Sequence, residues 1–133
     1  MRTTLSLIAL AAALGACAST PDGGFGGAFA TADGEAGLVK VEVRTDTAPQ
    51  RGRVLAHLTV LDAKSRAPID GANVVVVPFM PAMGHGSHTP MVTAKGNGVY
   101  DVDAELYMPG RWELRTTVSG PMSDRAVPSI DVK

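Results

Sequence analysis

Cysteine is almost absent from this chain of 133 residues, in which Cys17 is the only one. A single cysteine excludes an internal disulfide and a zinc site built from paired cysteines. Aromatic residues make up only 5% of the sequence, and no apolar run reaches the roughly 20 residues that a membrane-spanning helix needs. Twelve basic residues nearly balance thirteen acidic ones without forming a cluster, which argues against nucleic acid as a partner.

The first residues have the order of a secretory signal, with one positive charge followed by an apolar run at 5–14 and then small residues. The tetrapeptide 14–17, Leu-Gly-Ala-Cys, resembles the bacterial lipobox. We therefore predict a signal peptide over residues 1–16 and a palmitate-carrying lipoprotein anchored at Cys17 outside the cytoplasm. The alternative is an ordinary signal peptide that happens to contain a cysteine. By the same resemblance, an aspartate after the cysteine usually marks inner-membrane retention, so Ala18 favours the outer membrane, facing the periplasm, if the cell has one.

A glycine-rich stretch follows the predicted cleavage point. It contains small and polar residues without any period, and its only large apolar side chains are Phe25 and Phe29. Such a composition is typical of a flexible linker that buries little surface. We therefore predict that residues 17–37 comprise the lipidated cysteine and a tether, and that residues 38–133 form one folded domain.

Residues 38–133 alternate apolar and polar side chains with the period of two that is typical of half-buried strands. Turn sequences separate the runs, as in Pro-Ile-Asp-Gly at 68–71 and Gly-Asn-Gly at 96–98. The segment 72–79 is apolar on both faces, which predicts a central strand. The predicted fold class is all-β, an antiparallel immunoglobulin-like β-sandwich of about seven strands, at 38–44, 54–61, 72–79, 91–93, 99–103, 112–118 and 130–132.

One segment does not follow the strand pattern. Residues 80–91, which comprise the predicted loop 80–90 and the first residue of the next strand, hold three thioethers and two imidazoles, and Met108 stands later in a similar Met-Pro setting. Thioether sulfur is a soft, neutral ligand that binds Cu(I) well and zinc, magnesium or calcium poorly, and imidazole also accepts Cu(II). The residue types therefore predict a copper site, with Cu(I) favoured, whose ligands are Met80, Met83, His85, His88, Met91 and Met108.

A simpler interpretation of the same residues stays open. Methionines fill irregular gaps, so those of residues 80–91 would close the end of a sandwich while His85 and His88 remain solvated. His57 lies within a predicted strand, where a hydrogen-bonded histidine is more common than a ligand, and Trp112 is expected in the core. No nucleophile elbow, phosphate loop or dinucleotide fingerprint occurs, so we expect no enzyme activity.

Several segments resemble one known family. Residues 67–74, the Met-Pro-x-Met-x-His segment 80–85, residues 98–100 and the segment 108–114, which contains Met-Pro-Gly-x-Trp, are similar to the YtkA-like domain, which is related to FixH-type proteins. The resemblance spans about Gly37 to Val118. It implies a small extracytoplasmic immunoglobulin-like domain, often on lipoproteins and often associated with copper handling or cytochrome oxidase assembly.

Two functions from different classes follow. In the first, the domain binds or delivers copper to an acceptor such as a membrane oxidase or transporter, which requires Met108 to lie near residues 80–91. In the second, it is a non-metal, lipid-tethered interaction module that supports a membrane complex, and its methionines form an adaptable apolar contact surface. The two hypotheses differ in whether Met80, Met83 and His85 converge on one point or splay outward.

Overall fold

The computed structural model describes residues 26–133, which fold into two facing antiparallel β-sheets. The predicted β-sandwich is confirmed, with ten strands where about seven were expected. The strands are β1 (Phe29–Asp33), β2 (Val39–Arg44), β3 (Gly52–Asp62), β4 (Asn73–Met80), β5 (His85–Gly86), β6 (Met91–Gly96), β7 (Val99–Leu106), β8 (Gly110–Ser119), β9 (Asp124–Ala126) and β10 (Ser129–Val132).

The first sheet has the strand order β1-β2-β3-β7-β6, and the second has the order β10-β8-β4-β5, with β9 also paired to β8. The inward side chains of both sheets form one core. Val39, Val41 and Val43 of β2 are fully buried, as the alternation predicts, and Trp112 and Leu114 of β8 meet this layer from the second sheet. Burying each such side chain stabilises the fold by about 1.5–3 kcal/mol, so this layer holds the two sheets together.

The folded part begins before Leu38, which corrects the predicted tether. β1 lies within residues 17–37 and pairs with β2 along its whole length, from Phe29 opposite Arg44 to Asp33 opposite Lys40. Its sequence is Phe-Ala-Thr-Ala-Asp, whose small side chains give little local strand signal. The segment forms a strand because β2 offers a free edge, a tertiary contact that local composition does not reveal.

The strand predicted at residues 72–79 is present as β4, but the prediction that it is a central strand is wrong for most of its length. Val75 and Val77 are 39% and 38% exposed on the outer face of the second sheet, while Val74 and Val76 point into the core. On its outer side β4 pairs only through Phe79 and Met80, with the two-residue strand β5. Most of β4 is therefore an edge strand.

The strand registers define two ends of the sandwich, which we name by their residues. The pairs Gly52 with Leu106 and Gly110 with Val132, together with the 3.0 Å bond from Lys133 N to Pro49 O, bring three connections together. These connections form the Met/His end, at residues 45–52, 80–91 and 107–110. The opposite Asp124 end comprises residues 34–38, 62–72, 96–98 and 119–124. Within residues 26–133, no helix is long and apolar enough to cross a bilayer.

Candidate functional site

The Met80–Gly86 segment begins with a tight turn. The amides of Met83 and Gly84 both donate to Met80 O, at 3.1 and 3.0 Å, and Gly84 takes a positive φ of 66° that favours glycine. The chain then returns alongside β4, so that His85 lies opposite Met80. At Gly86, a Cβ would stand 2.5 Å from Pro78 O, so a larger residue would push the histidine-bearing strand away.

Three of the six predicted ligands line one cavity. His85 and His88 come from the segment after β4, and Met108 comes from the turn between β7 and β8. The cavity has a volume of about 390 Å³ and opens at the Met/His end. Two imidazoles and one thioether from separate parts of the chain therefore meet at this end, as the copper hypothesis requires of Met108.

Trp112 supports the cavity from below. The indole is 2% exposed, so it belongs to the core as expected, yet it also lines the cavity together with Glu105 and Tyr107. Its Nε1–H donates to the carbonyl oxygen of Met108 at 2.9 Å. The core tryptophan thus fixes the backbone that carries one of the predicted ligands.

A second cavity of about 640 Å³ adjoins the first along the outer face of the first sheet. His88 lines both cavities, and Met91, which is 78% exposed, lines only the second. Arg53 and Asp103 form an ion pair in its floor. Met91 is therefore beside the histidines but does not share the cavity of Met108.

The remaining two predicted ligands lie elsewhere. Met80 is 3% exposed in the core, and its terminal methyl group lies 3.3 Å from the point where a Cβ on Gly110 would stand. Met83 is 51% exposed at the turn and lines neither cavity. Met80, Met83 and His85 consequently do not converge on one point, so these three do not form the expected copper site together; His85, His88 and Met108 instead line the same cavity.

His57 belongs to a separate cluster on the outer face of the first sheet. Its Nδ1 lies 2.7 Å from Asp101 Oδ1 and its Nε2 lies 3.2 Å from Asp46 Oδ2. Hydrogen bonding to Asp101, and then to Asp46, raises the pKa of His57 above 6.5, against a smaller opposing effect of burial. A histidine held by two carboxylates is a hydrogen-bonded residue of the sheet, in agreement with the sequence-based expectation.

The family model described as YtkA-like matches residues 35–117, more than half of the chain. The chain belongs to the YtkA-like family. No curated protein and no solved structure matches it. The YtkA-like match includes the Met80–Gly86 segment and the Met108–Trp112 segment, so the residues that form the first cavity all fall within it. β1, β9 and β10 lie outside the YtkA-like match.

Sequence reasoning identified the two histidines and Met108 but missed Glu105 and Tyr107 as cavity residues. Both precede Met108 at the end of β7, and only the pairing of the strands reveals that they face residues 85–88. Met108 and Trp112 are four residues apart, and the Nε1–H of Trp112 donates to the carbonyl oxygen of Met108. This spacing was the one signal in the sequence that Trp112 contacts the Met108 turn.

The donor set itself indicates which ions suit this cavity. Within residues 26–133, no group of three or more histidine, cysteine, aspartate or glutamate side chains could hold a metal ion. His85, His88 and Met108 instead combine imidazole nitrogen with thioether sulfur, which suits a soft ion such as Cu(I).

Proposed function

We propose that this YtkA-like chain is a lipid-anchored extracytoplasmic protein that binds Cu(I) through His85, His88 and Met108 and delivers it to an acceptor protein. The observation that carries the proposal is the single cavity lined by these three side chains, which come from two distant segments. Thioether and neutral imidazole ligands do not need a reducing compartment, unlike thiolates. The proposed location and the residue types therefore agree.

The six predicted ligands divide into groups in this proposal. His85, His88 and Met108 hold the ion, and the carboxylate of Glu105 offsets its charge in the same cavity. Met91 stands at the neighbouring cavity, beside His88. Met80 packs in the core and does not bind the ion. Met83 neither packs in the core nor binds the ion, because it is exposed and lines neither cavity. In this proposal copper is the ion that the protein transports, and it is not a catalytic cofactor.

The anchor in this proposal is Cys17, which lies outside the residues that the structure describes. The support for it is the Leu-Gly-Ala-Cys sequence after an apolar run. Expression of the full chain with radiolabelled palmitate tests it. Label should appear on the wild-type protein and disappear in Cys17→Ser, and an unlabelled wild-type chain would contradict the anchor.

Copper binding is best measured by competition titration of Cu(I) into the full-length lipoprotein in detergent. Trp112 is the only tryptophan of the chain and lines the cavity, so quenching of its fluorescence reports on this site. We expect nanomolar or tighter binding by the wild type and loss of saturable binding in His85→Ala/His88→Ala.

Met83→Ala is the matched control, because Met83 lies in the same segment but outside both cavities; its affinity should equal that of the wild type. Thermal unfolding of each variant checks the fold. If the wild type binds no Cu(I) saturably, the copper proposal is wrong. The exposed Met83, Met91 and Tyr107 favour the remaining candidate, an interaction module without a metal.

A further inference from the structure

The described chain enters the domain from the Met/His end. Ala28 N donates to Thr45 Oγ1 at 2.7 Å and Thr45 N donates to Ala28 O at 3.0 Å, which fixes the entry beside the first residue after β2. A Cβ on Gly27 would overlap the carbonyl of Thr45, so the chain passes very close at this point. β1 then runs from there towards the Asp124 end. The described chain therefore begins, at Gly26, on the side of the Met/His end.

The exposed large apolar side chains concentrate in the same half of the molecule. Among the described residues, three exposed large apolar side chains lie away from the Met/His end. Val75 and Val77 are on the outer face of the second sheet, and Leu38 is at the Asp124 end. The remaining ones are on or beside the Met/His end: Phe29, Leu55, Met83, Met91 and Tyr107.

The chemistry of this half suits the interfacial region of a phospholipid bilayer. Tyr107 is 63% exposed, and the tyrosine ring, with its apolar body and polar hydroxyl, is favoured at headgroup depth. Phe29 is 58% exposed, and a phenylalanine ring suits the apolar boundary just below the headgroups. The guanidinium of Arg44 lies 5.4 Å from the centre of the Phe29 ring, where it is placed to meet lipid phosphates. The same rings would otherwise remain in water.

The length of chain between the anchor and the domain brings this half to the lipid. Nine peptide steps separate Cys17 from Gly26, which span at most about 30 Å when fully extended. The domain therefore stays close to the surface that holds its lipid, and its entry side faces that surface first. Because the anchor holds the domain beside the bilayer, the effective concentration of lipid around the domain is high. Even a weakly apolar surface can then contact the bilayer.

We propose that the Met/His end lies against the bilayer to which Cys17 is anchored, so that the cavity of His85, His88 and Met108 opens towards the membrane plane. The inference rests on the lipid anchor of the proposed function and is independent of copper. The partner that contacts the Met/His end is therefore a phospholipid bilayer.

Site-specific fluorescence in vesicles tests this orientation. Cys17 is the only cysteine and is blocked by lipid in the anchored protein, so an introduced cysteine is the only free thiol. The full lipoprotein with Tyr107→Cys, or with Met91→Cys as a second probe of the same end, carries an environment-sensitive dye. Lys64→Cys is the matched control, because Lys64 is also exposed but lies at the Asp124 end. The vesicles contain phosphatidylcholine, phosphatidylglycerol and a spin-labelled lipid as quencher.

We expect the spin-labelled lipid to quench most of the fluorescence at positions 107 and 91, with a blue shift, and little of it at position 64. Equal quenching at both ends, or none at either end while the protein floats with the vesicles, overturns the orientation and leaves the anchor intact. A protein that does not float with the vesicles lacks the anchor, in which case the proposed location and the orientation both fail.

Discussion

The two ends of this sandwich use their polar groups in opposite ways. At one end, the buried carboxylate of Asp124 accepts hydrogen bonds from the amides of Ala36, Leu38, Val39 and Arg125, at 2.8 to 3.2 Å. At the other end, the imidazoles of His85 and His88 are exposed. The first arrangement stabilises the hairpin of β1 and β2, whereas the second leaves donor atoms free for a ligand. The polar groups of the Asp124 end therefore stabilise the fold, whereas those of the Met/His end are exposed for the proposed binding.

The largest expected effect concerns Met80, whose role decides where the core stops and the candidate site begins. Met80→Ala should lower the free energy of unfolding by about 2–5 kcal/mol, because it removes a buried side chain and leaves a cavity. Urea unfolding followed by Trp112 fluorescence measures the change. Met83→Ala should alter stability by less than about 0.5 kcal/mol, since Met83 is exposed. Equal effects of the two substitutions would contradict the division between core and site.

Asp124→Asn should have the next largest effect. An amide side chain offers one acceptor oxygen, and its own N–H groups would face backbone donors, so we expect a loss of about 1–3 kcal/mol. The variant should nevertheless bind Cu(I) as tightly as the wild type, because it acts at the other end. Urea unfolding and the copper titration test both statements, with exposed Asp131→Asn as the control.

The same residue gives a pH dependence. Burial raises the pKa of Asp124, but the four backbone amides together outweigh it and hold the pKa below 3.8. A lowered pKa in the folded state contributes stability above the unfolded-state value, and this contribution is lost as the pH falls through the folded value. Acid should therefore destabilise the wild type more steeply than Asp124→Asn below about pH 4. Parallel pH profiles would rule out this role.

The smallest expected effect belongs to His57. Its raised pKa means that the ionic contacts with Asp101 and Asp46 contribute fully below about pH 6.5 and are lost as the pH rises through the folded value. His57→Gln should cost less than about 1 kcal/mol at acidic pH, because the pair is partly solvated, and less still at alkaline pH. Urea unfolding at two pH values, repeated in high salt, provides the measurement. A cost that grows with pH would contradict the assignment.

The comparison of the two ends also separates what the sequence predicts from what it does not. Alternation along Val39, Val41 and Val43 suffices for β2, because one face of the strand is buried. β1 depends on pairing with β2, so its composition misled the prediction. In β4, four consecutive valines concealed the edge, although Pro78 was a usable signal, since proline avoids central strands.

The candidate site divides in the same way. His85 and His88 were found because they stand in one unusual stretch of sequence. Their grouping with Met108 was a hypothesis about topology, and it required the position of the turn after β7. Glu105 and Tyr107 have ordinary sequence surroundings, so only the pairing of β7 with its neighbours places them there.

Pro78 has a consequence for copies of this domain crowded side by side. Ser87 N donates to Pro78 O at 3.1 Å, so the carbonyl of Pro78 points to the outer edge of β4, and its nitrogen, which carries no hydrogen, points the same way. Of the residues in β4, only Val74 and Val76 could offer both an N–H and a C=O group to a strand from a neighbouring copy. That is too short a ladder to extend the second sheet across the β4 edge into a neighbouring copy.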